Sequence, residues 1–461
     1  MSVRNIEDVY PLSPLQEGLL FHSLYEPEEG AYVMQLSCKT GDVDVVALQQ
    51  AWQRIMDRHP SFRTAFVWKN VEKPLQVVQR HVTLPFQFED WRGLSASEQQ
   101  ERLDTYLAAD RRRGFQLNKA PLLRVALIQL HDDCHYLILS QHHIIVDGWS
   151  LALVFKEAFA LYEAYCEGRE PQLEPSRPYK EYIAWLAQQN LLEAEGFWRR
   201  MLKDFTVPTS ILAEPGGERP AAQETGYSEQ LFELSAETTA ALLSLGRLYR
   251  VTMNTIFMGA WALLLSRHSG QREVVFGVVM SGRPPDLAGV ERMVGLFVNT
   301  LPMRIRIRAG DLLSSWLEEI QMQQLEMQKY EYSPLAKVQQ WSDLPHGEAL
   351  IESLFTFENF PSPPNMHVKD VEVSIDTSFE KTNYPLTIIV GPGTQVVVRV
   401  LYDDLQIDHA TLKLLLRHFQ SLLENMAAGF DQPLSAVEIL APVESELLLD
   451  QFNADFEEAS I

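Results

Sequence analysis

Apolar residues recur along this chain with two periods, and the switches between them mark its elements. From Val45 to Arg58, Leu48, Ala51, Trp52 and Ile55 fall at i, i+3, i+4 and i+7, which predicts an amphipathic helix ended by Pro60. Ahead of it, Ser13-Pro14-Leu15-Gln16 reads as a helix start. Ser13 caps, Pro14 suits the first turn and Gln16 completes a capping box. Leu15, Leu19 and the run Phe21 to Leu24 are expected to supply that helix's buried side. Phe62, Thr64 and Phe66 alternate with Arg63 and Ala65, the period of a strand with Arg63 on the opposite face. Leu122 to Leu130 and His135 to Gln141 predict two strands around a turn at His131-Asp132-Asp133. After Gly148, the helical period returns from Ser150 to Cys166. Its polar positions, Ser150, Lys156, Glu157 and Glu163, form only a narrow stripe, so this helix is expected to be mostly buried.

The second half repeats the mixture. Tyr182 and Trp185 sit at helical spacing within Tyr179 to Trp185 and read as core packing. Asp204 to Gly226, rich in Pro and Gly, reads as a loop. Ser235 to Tyr249 and Thr252 to His268 predict helices, as do Asp311 to Tyr330 and His409 to Ala427. Glu273 to Met280 is an almost continuous apolar run, the pattern of a strand buried on both faces, and Ser281-Gly282-Arg283-Pro284-Pro285 breaks it. Val298 to Arg308, Leu354 to Phe357, Leu386 to Val390 and Val396 to Tyr402 predict further strands. The proline- and charge-rich stretch Gly168 to Pro178 marks a boundary between two lobes. From about Asp431 no new core is evident, and the tail reads as a linker toward a following domain.

With 461 residues and 46% hydrophobic content, the chain is too long for one ordinary core and fits two domains, or three at most. A formal net charge of -23 argues against broad binding to nucleic acid or anionic membranes. Cys38, Cys134 and Cys166 are sparse and widely spaced, the usage of reduced thiols in a cytoplasmic protein, and no Cys-x-x-Cys pair suggests structural zinc. No apolar signal core precedes Pro11, and no apolar run approaches the length of a membrane span.

The chemistry concentrates in His142-His143-Ile144-Ile145-Val146-Asp147-Gly148, between a strand-like run and a buried helix. Histidine is suited to give or take a proton near neutral pH. Adjacent strand residues face opposite ways, so a strand continuing through the pair would part His142 from His143, with His143 sharing the parity of Leu137, Leu139 and Gln141. A metal held by His142, His143 and Asp147 is disfavoured, because ligands must converge. Asp147 reads as a base, an ion-pair member or, most often for Asp before Gly at a helix entrance, a cap. Gly148 permits a tight turn and close approach of a substrate arm or developing oxyanion. Trp149 and Ser150 open the helix, Trp149 as packing or as a substrate contact. Asn299, in an apolar run, needs buried partners and could orient the site or the substrate. The chain has no Gly-x-Ser-x-Gly elbow and no Gly-rich nucleotide loop ending in Lys, which disfavours ATP chemistry.

Five segments in order resemble a nonribosomal peptide synthetase condensation domain, over nearly the whole length. They are Ser13 to His22, Arg58 to Phe66, His142 to Gly148, Tyr179 to Trp185 and Val294 to Thr300. The resemblance implies an α/β fold of two lobes, each similar to chloramphenicol acetyltransferase, in a V-shaped pseudo-dimer with a tunnel between them. Residues 1–177 would form the N-terminal lobe, 178–435 the C-terminal lobe, and 436–461 a linker toward an adenylation domain. It further implies an acyltransferase that forms a peptide bond: an aminoacyl amine on a downstream carrier domain attacks a thioester on an upstream carrier. No cofactor of its own is implied, only phosphopantetheine arms delivered by the carriers, with no nucleic-acid or membrane partner and a monomer when excised. Secondary-metabolite synthesis, of an antibiotic or siderophore, is the setting implied.

The same resemblance makes His143 the catalytic residue facing the tunnel, with Gly148 beside it. It makes His142 and Asp147 structural, Asp147 through a salt bridge whose expected partner is Arg283 first and Arg63 second. Asn299, Trp149 and Ser150 are expected to support the site or touch substrate. Gln16-Glu17-Gly18-Leu19-Leu20-Phe21-His22 replaces the Gln-x-Arg-Leu-Trp form of the L-donor subtype, and Tyr330 to Leu335 lacks His-x-Asp-x-Pro-Phe. Both features, with Trp149 after Gly148, resemble the subtype that joins a D-configured donor to an L-aminoacyl acceptor. Two rivals are an epimerisation domain of the same fold, with Glu358 as a second acid/base group, and a catalytically silent docking platform. The N-terminal motifs and the tail disfavour the first; the intact histidine motif disfavours the second.

Overall fold

Side-chain caps set several of the helix starts in the computed structural model, which describes residues 3–25, 32–210, 226–359, 366–368, 371–379 and 381–440. Strand β1 (Ile6–Pro11) leads into α1 (Pro14–Tyr25). There the capping box forms: Ser13 N donates to Gln16 Oε1 at 2.9 Å and Gln16 N to Ser13 Oγ at 3.4 Å. Leu19 and Leu20 are buried, but Phe21 and Leu24 are exposed, contrary to expectation. Four consecutive residues sweep most of a helical turn and cannot share one face. Then come β2 (Val33–Thr40) and α2 (Val45–Arg58), whose Asp44 Oδ1 accepts from Val46 N and Ala47 N. Pro60 turns the chain into a short 3-10 segment, Pro60–Arg63, before β3 (Thr64–Val67). The alternation read from Phe62 onward therefore starts only at Thr64, and Phe62 and Arg63 are both buried.

The chain continues through β4 (Leu75–Gln79), β5 (Phe86–Asp90), α3 (Ala96–Arg113), β6 (Leu123–His131), β7 (Cys134–His142), α4 (Gly148–Cys166) and α5 (Lys180–Leu186). Next are α6 (Leu191–Met201), β8 (Tyr227–Glu233), α7 (Ala236–Tyr249), α8 (Met253–Ser269), β9 (Glu273–Met280), β10 (Asn299–Arg306) and α9 (Leu313–Gln328). The last are α10 (Leu335–Trp341), β11 (Ser353–Phe357), β12 (Met366–Val368), β13 (Val371–Phe379), β14 (Leu386–Gly391), β15 (Val397–Asp403) and α11 (His409–Ala427).

The chain divides into two compact units: Met1–Asn190 with Ser281–Asn299 and Phe360–Asn383, and Leu191–Met280 with Thr300–Asn359 and Tyr384–Ile461. The first unit holds a six-stranded mixed sheet in the order β12-β13-β2-β7-β6-β5 and a three-stranded sheet β1-β4-β3. Central β7 is buried on both faces. Leu137 and Leu139 pack into the cluster of Trp52, Ile55, Phe155 and Phe159 from α2 and α4. Tyr136 and Ile138 join Leu103 and Leu107 of α3 on the other face. Each such side chain contributes about 1.5–3 kcal/mol on burial, so this pattern pins the register that delivers His142 to the strand's end.

The second unit is built on a sheet ordered β10-β9-β11-β14-β15-β8, with β9, β11 and β14 parallel. Helix α8 is buried nearly all round, and its Trp261 meets Phe419 of α11 edge-on at 5.7 Å. The first division follows α5 at Asn190, not residue 177, because Tyr182 and Ile183 pack with Tyr10, Val78 and Phe297 of the first unit. The core of the second unit also runs past Asp431: Leu434 and Val437 are buried and Leu312 bridges Pro433. Most of the expected Asp204 to Gly226 loop and of the 436–461 linker lies outside the described residues. Among the described residues no single helix is long and apolar enough to cross a membrane.

Candidate active site

Strand β7 ends at His142, and His143–Ile145 form a single 3-10 turn. Strand alternation therefore does not run through His143, and parity is not what separates the two imidazoles. Their hydrogen bonds do. His142 caps the turn: its Nδ1 accepts from Ile144 N at 3.2 Å, and its Nε2 lies 3.3 Å from Ser23 Oγ. An acceptor Nδ1 puts the proton on Nε2, which donates to Ser23, while Ser23 Oγ donates to Leu19 O at 2.7 Å. The ring is 3% exposed. Burial, helped by neighbouring His143, pulls its pKa down from 6.5 to about 3, so His142 is neutral at working pH.

His143 is oriented the other way. Its backbone N donates to Tyr32 O at 2.8 Å, and its Nδ1 lies 3.0 Å from Val146 O. A carbonyl only accepts, so Nδ1 carries a proton, and in the neutral ring the lone pair is on Nε2. The ring is half-buried. One histidine is thus a neutral structural cap, and the other is tied to the turn's own carbonyl through Nδ1.

Behind the turn, Asp147 caps α4 through Oδ1, which accepts from Ser150 N at 2.7 Å; Oδ2 accepts from Phe297 N at 2.9 Å. Arg283 Nη2 donates to Asp147 Oδ1 at 3.2 Å and to Ser150 Oγ at 2.8 Å. Arg283 Nη1 reaches the Val290 and Met293 carbonyls, and the guanidinium lies 3.9 Å from the Phe297 ring centroid. Burial lowers the Arg283 pKa, and Asp147 opposes that shift. The expected Asp147–Arg283 ion pair is present, with side chains 1% and 7% exposed. Arg63 is elsewhere: it takes Glu7 Oε2 at 2.5 Å and Met56 O at 3.1 Å, joining β1 to the turn after α2. It is a strut of the three-stranded sheet, not a partner of Asp147.

Two glycines allow residues 281–299 to close on this network. Gly282 has φ +63°, and a Cβ there would sit 1.7 Å from Phe297 O. A Cβ on Gly295 would lie 2.1 Å from the Tyr179 ring. Gly295 O accepts from Ser150 Oγ at 2.8 Å and from Asp147 N at 3.1 Å. Tyr179 OH donates to Leu296 O and Tyr182 OH to Phe297 O. Trp149 Nε1 donates to Glu291 O at 3.0 Å, with its ring 5.7 Å from the Arg283 guanidinium. Gly148 is the first residue of α4 and has no positive φ, so the tight-turn reason for a glycine there does not apply. Asn299 is buried at the start of β10. Glu358 follows β11 in the second unit, its N donating to Val390 O.

Sequence reasoning missed Gln16 as a site residue, because its capping role hid a second one. Its Nε2 donates to Ile144 O at 2.9 Å and thereby holds the histidine turn. The signal was a buried amide on an apolar helix face. Among the described residues, no group of three or more His, Cys, Asp or Glu side chains gathers as metal ligands.

The condensation domain family model matches residues 6–449. Linear gramicidin synthase subunits C and D of Brevibacillus parabrevis are 41% and 42% identical over 458 and 461 residues, covering 98% of this chain. Surfactin synthase subunit 3 of Bacillus subtilis is 32% identical over 455 residues, covering 97% of it. The chain spans only 6%, 9% and 35% of those proteins. A holo four-domain nonribosomal peptide synthetase superposes with TM-score 0.80 at 18% identity, over 95% of this chain and 34% of that one. The first condensation domain of the calcium-dependent antibiotic synthetase, solved with a substrate analogue, gives 0.79 at 17% identity over 94% of this chain and all of the other. Fold, motifs and family match agree: the chain belongs to the condensation domain family of nonribosomal peptide synthetases, whose reaction is amide-bond formation.

Proposed function

We propose that this domain transfers a peptidyl or aminoacyl group ending in a D-residue from an upstream carrier to an L-aminoacyl amine on a downstream carrier. The amine nitrogen attacks the thioester carbon, the C–N bond forms, the C–S bond breaks, and the amine proton ends on the departing thiol. Both substrates arrive on phosphopantetheine arms, so the domain needs no cofactor and no nucleophile of its own. An adenylation domain of the same cytoplasmic assembly is the neighbour in this reading, and the excised domain acts as a monomer.

The observation that carries the reading is the 3.0 Å contact of His143 Nδ1 with Val146 O. With Nδ1–H committed to Val146 O, the Nε2 lone pair can receive a hydrogen bond from the acceptor amine and take its proton. Holding two tethered substrates in line supplies up to about 7–11 kcal/mol of the barrier reduction. His142, Asp147, Arg283 and Ser150 hold the turn and the start of α4, where Gly148 lets the reacting carbonyl approach the helix's positive end. Trp149 braces Arg283, and Asn299 supports the site from the start of β10. The D-donor assignment rests on the form of the first motif and on the likeness to linear gramicidin synthase subunits.

The test is reconstitution with two loaded carriers. With a D-aminoacyl donor and an L-aminoacyl acceptor, the dipeptide is expected on the downstream carrier by mass, and an L-configured donor is expected to react much more slowly. Equal rates for both donors would remove the D assignment. Inversion of a bound residue without transfer would replace the reading by epimerisation.

A further inference from the structure

Gln16 and Ser23 stand two turns apart on one face of α1 and touch the histidine turn at two points. Gln16 Nε2 holds Ile144 O at 2.9 Å, and Ser23 Oγ lies 3.3 Å from His142 Nε2. The second contact closes a directional chain. Ile144 N–H donates to His142 Nδ1, His142 Nε2–H faces Ser23 Oγ, and Ser23 O–H donates to Leu19 O. Each hydrogen is used once. In the opposite tautomer, His142 Nδ1–H would confront Ile144 N–H across 3.2 Å, two donors with no acceptor between them. The cap that seats the turn would be lost, and His143 occupies the first position of that turn.

We propose that Ser23 is a positioning residue for the reaction: by accepting the hydrogen bond of His142 Nε2–H, it reinforces the tautomer that caps the turn and so helps to aim His143. This rests on the reading of His143 given above. A plain packing residue would need only the volume at position 23; this role needs the hydroxyl. Among the described residues, the ionisable groups around His142 are His143 on the turn, Tyr32 ahead of β2 with its ring 6.3 Å away, and His22, whose ring lies 6.5 Å from that of Tyr32.

Heteronuclear NMR on nitrogen-labelled histidines, together with single-turnover peptide formation, tests it on the intact chain. In the wild type, His142 is expected as the neutral Nε2–H form. Ser23→Ala should mix the two tautomers and slow the reaction about ten- to a hundredfold, the scale of a misplaced catalytic group. Ser23→Thr, which keeps the hydroxyl, should recover most of the rate. Ser23→Asp puts a carboxylate at Nε2 and raises the His142 pKa; the imidazolium then present at low pH has no acceptor at Nδ1. Activity of that variant should fall on acidification and return as pH rises through the new pKa, with the fold unchanged by circular dichroism. Unchanged His142 signals in Ser23→Ala, or altered signals with a wild-type rate, overturn the role of Ser23. A wild-type rate in His143→Ala, with Ser23→Ala still shifting the His142 signals, overturns the reading of His143 instead.

Discussion

Beyond the helical bond from Leu151 N to its carbonyl, Asp147 makes four contacts from a side chain and backbone that water barely reaches. It caps α4 at Ser150 N, holds Phe297 N, pairs with Arg283, and through its own N reaches Gly295 O. Removing the carboxylate leaves a buried guanidinium and two buried N–H groups without it. Asp147→Ala is expected to lower unfolding stability by about 3–5 kcal/mol, measured by urea denaturation, as well as slowing turnover. Asp147→Asn keeps acceptor oxygen and should cost less. A loss close to zero in Asp147→Ala would mean the ion pair is not the brace described. His142 carries the complementary lesson: a histidine in the motif can be a structural cap, kept neutral by burial, with its Nδ1 accepting from Ile144 N.

At the scale of elements, the segment 281–299 is held by side chains that arrive from three directions. Ser61 Oγ donates to Val294 O, Ser150 Oγ to Gly295 O, and Tyr179 and Tyr182 to the next two carbonyls. At Gly295, Tyr179, the residue before α5, leaves no room for a side chain. Gly295→Ala should cost about 1–3 kcal/mol as an overpacking lesion, read as a lower thermal midpoint, because Tyr179 is buried and its hydroxyl is tied to Leu296 O. An unchanged midpoint would show that α5 can give way. Strongly periodic elements were legible in the sequence: α2, β9 and α11 fall where the apolar spacing put them. Elements that hide polar groups were not. Helix α3 buries Gln99 and Asp110 beside only two leucines, and β2 buries Gln35 and Ser37 against it. Their satisfaction, Ser140 Oγ to Asp110 Oδ2 and Gln35 Nε2 to the same oxygen, depends on residues far off in the chain that no local period can reveal. At the site, the Asp147–Arg283 pair expected from the sequence is present, while the argument from strand parity failed because β7 stops one residue before His143.

For the molecule as a whole, two sheet-based units leave the histidine turn, its brace and the 281–299 segment all in the first unit, which draws on three separate stretches of chain. The turn is therefore assembled by tertiary folding and not by the local motif alone, and its chemistry belongs to the domain, not to the seven-residue string. The proposed reaction also depends on two carriers that bring the substrates, so a measurement on the isolated turn or on free amino acids would miss it. The direct measurement is the single-turnover rate at which dipeptide forms on a saturating, correctly loaded downstream carrier, wild type against His143→Ala, with folding checked in parallel. Loss of about 10²–10⁴-fold in rate, with carrier binding retained, is the result expected if the Nε2 lone pair of His143 receives the acceptor amine. A folded His143→Ala protein that forms dipeptide at the wild-type rate would contradict it.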